Sequence, residues 1–259
     1  MSTPVLWRDL RRYTPARVAL GRAGNALPTA AHLDFQEAHA RARDAVWSGL
    51  DAPALEGAVG ALGVPVRRVA SAAPDRRSYL LRPDLGRRLA DGEAARLAEI
   101  AAPGSIAVVL ADGLCATGVQ AHAPPLLAAL LPGLRAAGWQ LAPVVIATQA
   151  RVALGDAVGE ALQAAAVAVL IGERPGLSAT DSLGCYLTWA PRRGRTDAER
   201  NCISNIRPEG LPPEAAARKL LWLLDAARRL GQTGVALKDE EPAAPLVAPQ
   251  PQDRIGGTP

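Results

Sequence analysis

The chain has 259 residues, 49% hydrophobic and 21% charged, proportions that suit a globular protein with a sizeable core and exclude a fibrous or disordered one. Aromatic residues supply only 3%, so the core has to be built mostly from Ala, Leu and Val. A net charge of +4, with arginine clusters at Arg11–Arg22 and Arg192–Arg200 that are not interleaved with aromatics, does not mark a nucleic-acid-binding surface.

In chain order, residues 1–30 read as an extended basic arm, punctuated by Pro15 and Pro28, that binds or wraps a partner. Residues 31–239 read as one folded domain. A helix is expected over 32–47, where Phe35, Ala38, Ala42 and Val46 recur at three- and four-residue steps. A Gly/Pro-rich joint follows, then a short strand at 66–69. The stretch 79–88 is a turn feeding a helical segment that runs to about Ile100.

The centre is more regular. Apolar runs at 106–111, 144–148 and 167–171 alternate with helical segments at 124–137 and 155–165. Such runs are too apolar to have a solvated face, so they belong in a parallel sheet covered by helices on both faces. Right-handed crossovers then carry Asp112, Gln149, Arg151 and Glu173 to one sheet edge, where an open α/β sheet binds its ligand. A further strand is expected at 185–189, inside a long polar excursion spanning 171–210. A helix starts at Pro212–Pro213 and stops near Gly231, and the Pro-rich tail 240–259 reads as disordered.

Familiar chemistry finds no support. No Gly-x-Gly-x-x-Gly or Walker-type loop follows a strand, and no Gly-x-Ser-x-Gly elbow is present. His32, His39 and His122 are scattered, and Cys115, Cys185 and Cys202 are widely spaced, so no metal site is expected. Unpaired cysteines, no secretory start and no apolar run of the ~20 residues a membrane helix needs point to a cytoplasmic protein without membrane contact. The chain offers a crevice without an evident catalyst.

Several blocks resemble the small (light) subunit of ethanolamine ammonia-lyase: DLRRYTPARV at 9–18, GRAG at 21–24, YLLRPDLGRRL at 79–89, ADGL at 111–114, GERPGL at 172–177, DSLGCY at 181–186 and NCISNI at 201–206. The resemblance implies a Rossmann-like α/β fold and a hetero-oligomer with a large subunit. In that family the large subunit binds ethanolamine and hosts the radical chemistry that gives acetaldehyde and ammonia. The cofactor implied is adenosylcobalamin, bound at the subunit interface, and the corrin-contacting positions match Val152, Glu173 and Cys202 here. Glu173 would accept hydrogen bonds from the corrin's amide rim, Val152 would give apolar contact, and Cys202 a small packing contact. Read without the family, Glu173 is also a solvated strand-end carboxylate and Cys202 a buried structural thiol.

No residue of this chain is assigned a catalytic role, and activity is expected only with the large subunit. None of the histidines lies in an Asp-x-His-x-x-Gly motif, so the cofactor is expected to keep its own lower base. Many members carry a long segment ahead of the 9–18 block, associated with packaging in a bacterial microcompartment. Only residues 1–8 precede it here, so a free cytoplasmic complex is expected, with the microcompartment as the alternative. Two other readings stay open: a stand-alone Rossmann-like binding module without catalysis, and a nucleotide-dependent enzyme with a degenerate phosphate loop.

Overall fold

A computed structural model describes residues 9, 10, 13, 14 and 16–241. Arg11, Arg12 and Pro15 of the arm lie outside the described residues, as does the tail from 242 onward.

The backbone is a six-stranded sheet. Strands β1 (Val66–Ala70), β2 (Ile106–Ala111), β3 (Val144–Thr148), β4 (Ala166–Gly172), β5 (Leu183–Trp189) and β6 (Arg200–Ile206) lie in the order β1-β3-β2-β4-β5-β6. The strands from β1 to β4 are parallel, whereas β5 and β6 add an antiparallel edge. Every residue of β2 and β4 is buried, which is why the sequence shows unbroken apolar runs there.

The helices divide between the two faces. Helices α1 (Thr29–Trp47), α2 (Ala52–Gly60), α3 (Arg76–Leu81), α4 (Pro83–Gly86) and α5 (Glu93–Ala98) precede the centre. Helices α6 (Ala116–Ala136), α7 (Leu154–Ala161) and α8 (Pro213–Leu230) follow. One face packs α2, α6 and α8 through Leu55, Leu126, Leu127, Leu220 and Leu224 onto Val108, Leu110 and Leu170. The other packs α5 and α7 through Leu97, Leu154 and Val158 onto Val109, Val145 and Val169. Close approach is built in: a Cβ at Gly133 would meet Leu221 at 2.2 Å, and one at Gly155 would meet Val169 at 2.2 Å.

Several expected boundaries move. Helix α6 begins at Ala116 rather than 124 and runs through Pro124, Pro125 and Pro132. Each proline forfeits a backbone bond, but Val119, Ala123, Leu126 and Leu130 are fully buried, and that packing holds the helix together. The Gly/Pro joint contains α2, started by Asp51, whose carboxylate accepts from the Ala54 amide at 3.0 Å. Strand β6 was expected as loop. Its polar sequence hides the pattern because only Arg200, Ile203 and Ile206 are buried.

The N-terminal region also differs. Helix α1 has no buried residue, and Leu33, Phe35 and Trp47 remain exposed. Arg17, expected to be free for a partner, instead pairs with Asp34 at 3.0 Å and donates to the Leu177 carbonyl at 3.4 Å. Part of the arm is therefore fastened to its own domain, across the loop that follows β4. Among the described residues no helix is long and apolar enough to cross a membrane.

Candidate functional site

The sheet's crossover pattern places β3 and β4 on opposite sides of β2, and α6 and α7 on opposite faces. A ligand crevice would ordinarily open there, past the ends of β2 and β4. Here two loops narrow it. A Cβ on Gly113 would lie 2.3 Å from the Gly172 carbonyl oxygen, and one on Gly172 would lie 1.9 Å from that of Cys115. The Leu114 amide donates to the Gly172 carbonyl at 3.0 Å, joining the two loops directly.

The polar residues delivered to this edge are mostly turned inward. Asp112 is 2% exposed, and its carboxylate accepts from the Gln149 and Ala150 amides, both at 2.9 Å. It thereby holds Gln149 at a φ of 53° and shapes the turn into α7. Burial raises its carboxyl pKa, opposed by those amides and by Arg76 at 3.6 Å. Arg151 donates to the Tyr79 carbonyl at 3.1 Å and stacks on the Tyr79 ring at 4.5 Å. Burial pushes the Tyr79 phenol up to about 12. These groups are fasteners, and what remains of the expected crevice is a pocket of about 500 Å³ between Leu114, Arg151, the 174–177 loop and α1.

Glu173 behaves differently. Its carboxylate accepts from the Ser204 hydroxyl and from the Asn205 amide at 3.1 Å, both on β6. A bulge aims that amide: Leu183 and Cys185 face Ile206 and Ile203, and Asn205 takes a φ of 57°. Gly184 makes the space, since a Cβ there would lie 3.1 Å from the nearer Glu173 oxygen. Half-buried Glu173 is thus held at fixed orientation on the edge of the β5–β6 hairpin.

The hairpin is fully covered on one side and only partly on the other, where α7 reaches Thr188 and Arg200 at one end. Cys185, Leu187, Ile203 and Ile206 enter the core beneath α8, whereas Tyr186 is half-buried and Cys202 and Ser204 are exposed on the other side. Tyr186 and Cys202 are cross-strand partners. Burial, with Cys202 and Glu173 nearby, pushes the Tyr186 phenol up to about 12. Desolvation also raises the Cys202 thiol, while Tyr186 counters it, so the sulfur is a neutral thiol rather than a nucleophile at neutral pH. Val152, half-buried in the turn before α7, packs against the α7 core cluster beside Tyr186. The surface therefore runs from Val152 through Tyr186 and Cys202 to Glu173. Tyr186 is the member missed in the sequence, although strand alternation from Cys185 places it on this side.

From Val152 and Tyr186 a groove of about 1180 Å³ extends between the Arg87–Gly92 turn and the 191–197 loop. Arg200, buried, forms its floor. It donates to both Asp156 oxygens at 2.6 and 2.7 Å, to Thr188 at 2.9 Å and to the Arg195 carbonyl at 3.1 Å. Burial pushes the Asp156 carboxyl up and Arg200 opposes it. Arg200 cannot shed its proton, so the pair is ionised and ties β6 to α7.

Residues 5–238 match the family model described as Ethanolamine ammonia-lyase light chain (EutC). The chain is similar to the ethanolamine ammonia-lyase small subunit of Azotobacter vinelandii, 55% identical over 244 residues covering 93% of this chain and 90% of that one. It is 55% identical to that of Ralstonia nicotianae over 237 residues, 90% of this chain and 88% of the relative. With that of Bradyrhizobium diazoefficiens it shares 56% identity over 246 residues, 93% and 94% of the two chains.

Proposed function

The chain belongs to the ethanolamine ammonia-lyase light-chain family, and on that premise we propose that it binds adenosylcobalamin against a large catalytic subunit. The observation that carries this reading is the part of the β5–β6 hairpin face beyond the reach of α7, where Cys202 and Ser204 are exposed between Val152 and Glu173. A corrin is broad and flat, and its rim carries neutral amides. The hairpin offers a broad face, an apolar border at Val152 and a carboxylate pre-aimed by Ser204 and Asn205. The absent side chain at Gly184 leaves that carboxylate its place.

When bound, the cofactor supplies the radical chemistry that converts ethanolamine to acetaldehyde and ammonia. This chain's residues bind and orient. Glu173 accepts from rim amides, Val152 and Tyr186 give contact area, and neutral Cys202 packs without adding charge. Enclosure between two subunits excludes water from the reacting centre. Exposed Leu33, Phe35 and Trp47 on α1 favour a partner too, because a helix without buried residues gains most of its stability from what covers it.

The test is ethanolamine-dependent acetaldehyde release with adenosylcobalamin, for this chain alone and with a large subunit. Release only in the mixture is expected, and Glu173→Ala should raise the cofactor concentration required about tenfold. No release in the mixture, with both chains folded, would leave the stand-alone binding module as the better reading.

A further inference from the structure

We infer that the groove beside the hairpin is an anion subsite that takes the phosphodiester arm of the ligand lying on the hairpin face. The inference rests on the proposed cofactor. Cobalamin's peripheral side chains are neutral amides, so the phosphodiester of its nucleotide loop is its one anionic substituent. A site for that arm must lie beside the corrin face and carry uncompensated positive charge.

The groove meets both conditions. Val152 and Tyr186 belong to the hairpin surface and to the groove lining alike, so a ligand on one reaches the other without a gap. Arg87 and Arg88 stand on its opposite wall, exposed, and neither side chain makes a hydrogen bond or ion pair among the described residues. Arg193, also on the lining, reaches only Glu160, at 3.3 Å, in a pair more than a third exposed on both sides and therefore weak.

Backbone donors add to the arginines. Helix α7 has 8 residues, and Val152 and Ala153 precede its first turn on the groove wall. Their carbonyls accept from Gly155 and Asp156, yet neither amide donates to any acceptor among the described residues. Two amides without an acceptor at a helix N-terminus, on the same groove lining as the arginines, are donors of the kind a phosphate takes.

The acids on the lining offset part of this charge. Arg200 holds both Asp156 and Asp197, at 2.6 and 3.3 Å, and so balances one of them, and Asp91 has no charged partner among the described residues. Arg87, Arg88, Arg151, Arg193, Arg195 and Arg200 still outnumber these acids, even with the Glu160 and Glu199 partners of Arg193 and Arg195 counted.

The test compares cobalamin with cobinamide, which lacks the nucleotide loop and its phosphate, as ligands of the assembled two-subunit complex. Affinities are read by equilibrium dialysis, without turnover. The Arg87→Glu/Arg88→Glu variant should bind cobalamin about tenfold or more weakly and cobinamide as the wild type does. Arg193→Ala should move the same way by less. Equal weakening toward both ligands, or no change toward either, overturns the subsite while leaving the cofactor reading intact. If the wild-type complex binds neither corrinoid, the cofactor reading falls and the subsite with it. Should the charge-reversed variant lose its fold, Arg87→Gln and Arg88→Gln, made singly, carry the same comparison.

Discussion

The two halves of the sheet treat polar residues in opposite ways. At β2, β3 and β4 both faces are roofed by helices, and the polar residues at the strand ends are bonded inward: Asp112 to two amides, Arg76 to the Val46 and Gly113 carbonyls at 2.7 and 2.8 Å, Arg151 to Tyr79. Along β5 and β6, helix α7 covers one face only at its Thr188–Arg200 end, and Glu173, Tyr186 and Cys202 stand beyond it at the surface. Burial on two sides turns polar groups into fasteners, and burial on one side leaves them available. The sheet has a groove of about 1180 Å³ on the flank of the hairpin and a smaller pocket, about 500 Å³, past the end of β2.

The largest effect should come from the fastener that joins the two halves. Removing the carboxylate in Asp156→Ala strands Arg200, whose side chain is 2% exposed, and should cost about 3–5 kcal/mol in urea unfolding. A loss below about 1 kcal/mol would show that the hairpin does not depend on α7. Next, Gly172→Ala forces a methyl group against the Cys115 carbonyl and should cost about 1–3 kcal/mol, because neither loop can yield without moving backbone. If its unfolding midpoint matched the wild type, the crevice at the end of β2 would be looser than described.

On the hairpin the same size of change should spare stability and affect ligand. Gly184→Ala should push the Glu173 carboxylate aside and weaken corrinoid binding several-fold, with unfolding changed by less than about 1 kcal/mol. Unaltered binding would remove the oriented carboxylate from the argument. The smallest effect concerns pH. Thr196 and Arg195 hold Glu199 down to about 2, from an ordinary 4.5. Its folded value lies below its unfolded one, so its contribution is present above about 4.5 and is lost as pH falls toward about 2. The stability difference between wild type and Glu199→Gln should therefore shrink over that window; a constant difference would mean that the carboxylate's charge does not contribute to its bonds with the Thr196 amide and Arg195.

Much of this was legible beforehand. The unbroken apolar runs at 106–111, 144–148 and 167–171 located β2, β3 and the core of β4. The blocks around Glu173, Tyr186 and Cys202 pointed to the family. What was not legible was β6, since a strand with one covered face, a bulge and a left-handed Asn205 loses the two-residue alternation that marks strands. The start of α6 was hidden for a similar reason: local rules stop a helix at paired prolines, and only its packing between the sheet and α8 overrides them.

By itself the amino-acid sequence determined the parallel centre, the α/β class and the family, because these follow from periodicity and from residue order along the chain. Tertiary structure alone decided which polar groups are spent as fasteners and which face outward. Asp112 and Glu173 read alike, as carboxylates at the ends of apolar strands. Asp112 meets the Gln149 and Ala150 amides from a neighbouring strand end, where Gly113 and Gly172 let two loops close in. Glu173 meets a bulged hairpin at the end that α7 does not reach. The difference comes from partners 30 or more residues away in the chain, as the Asn205 amide is from Glu173, and no local pattern encodes that distance.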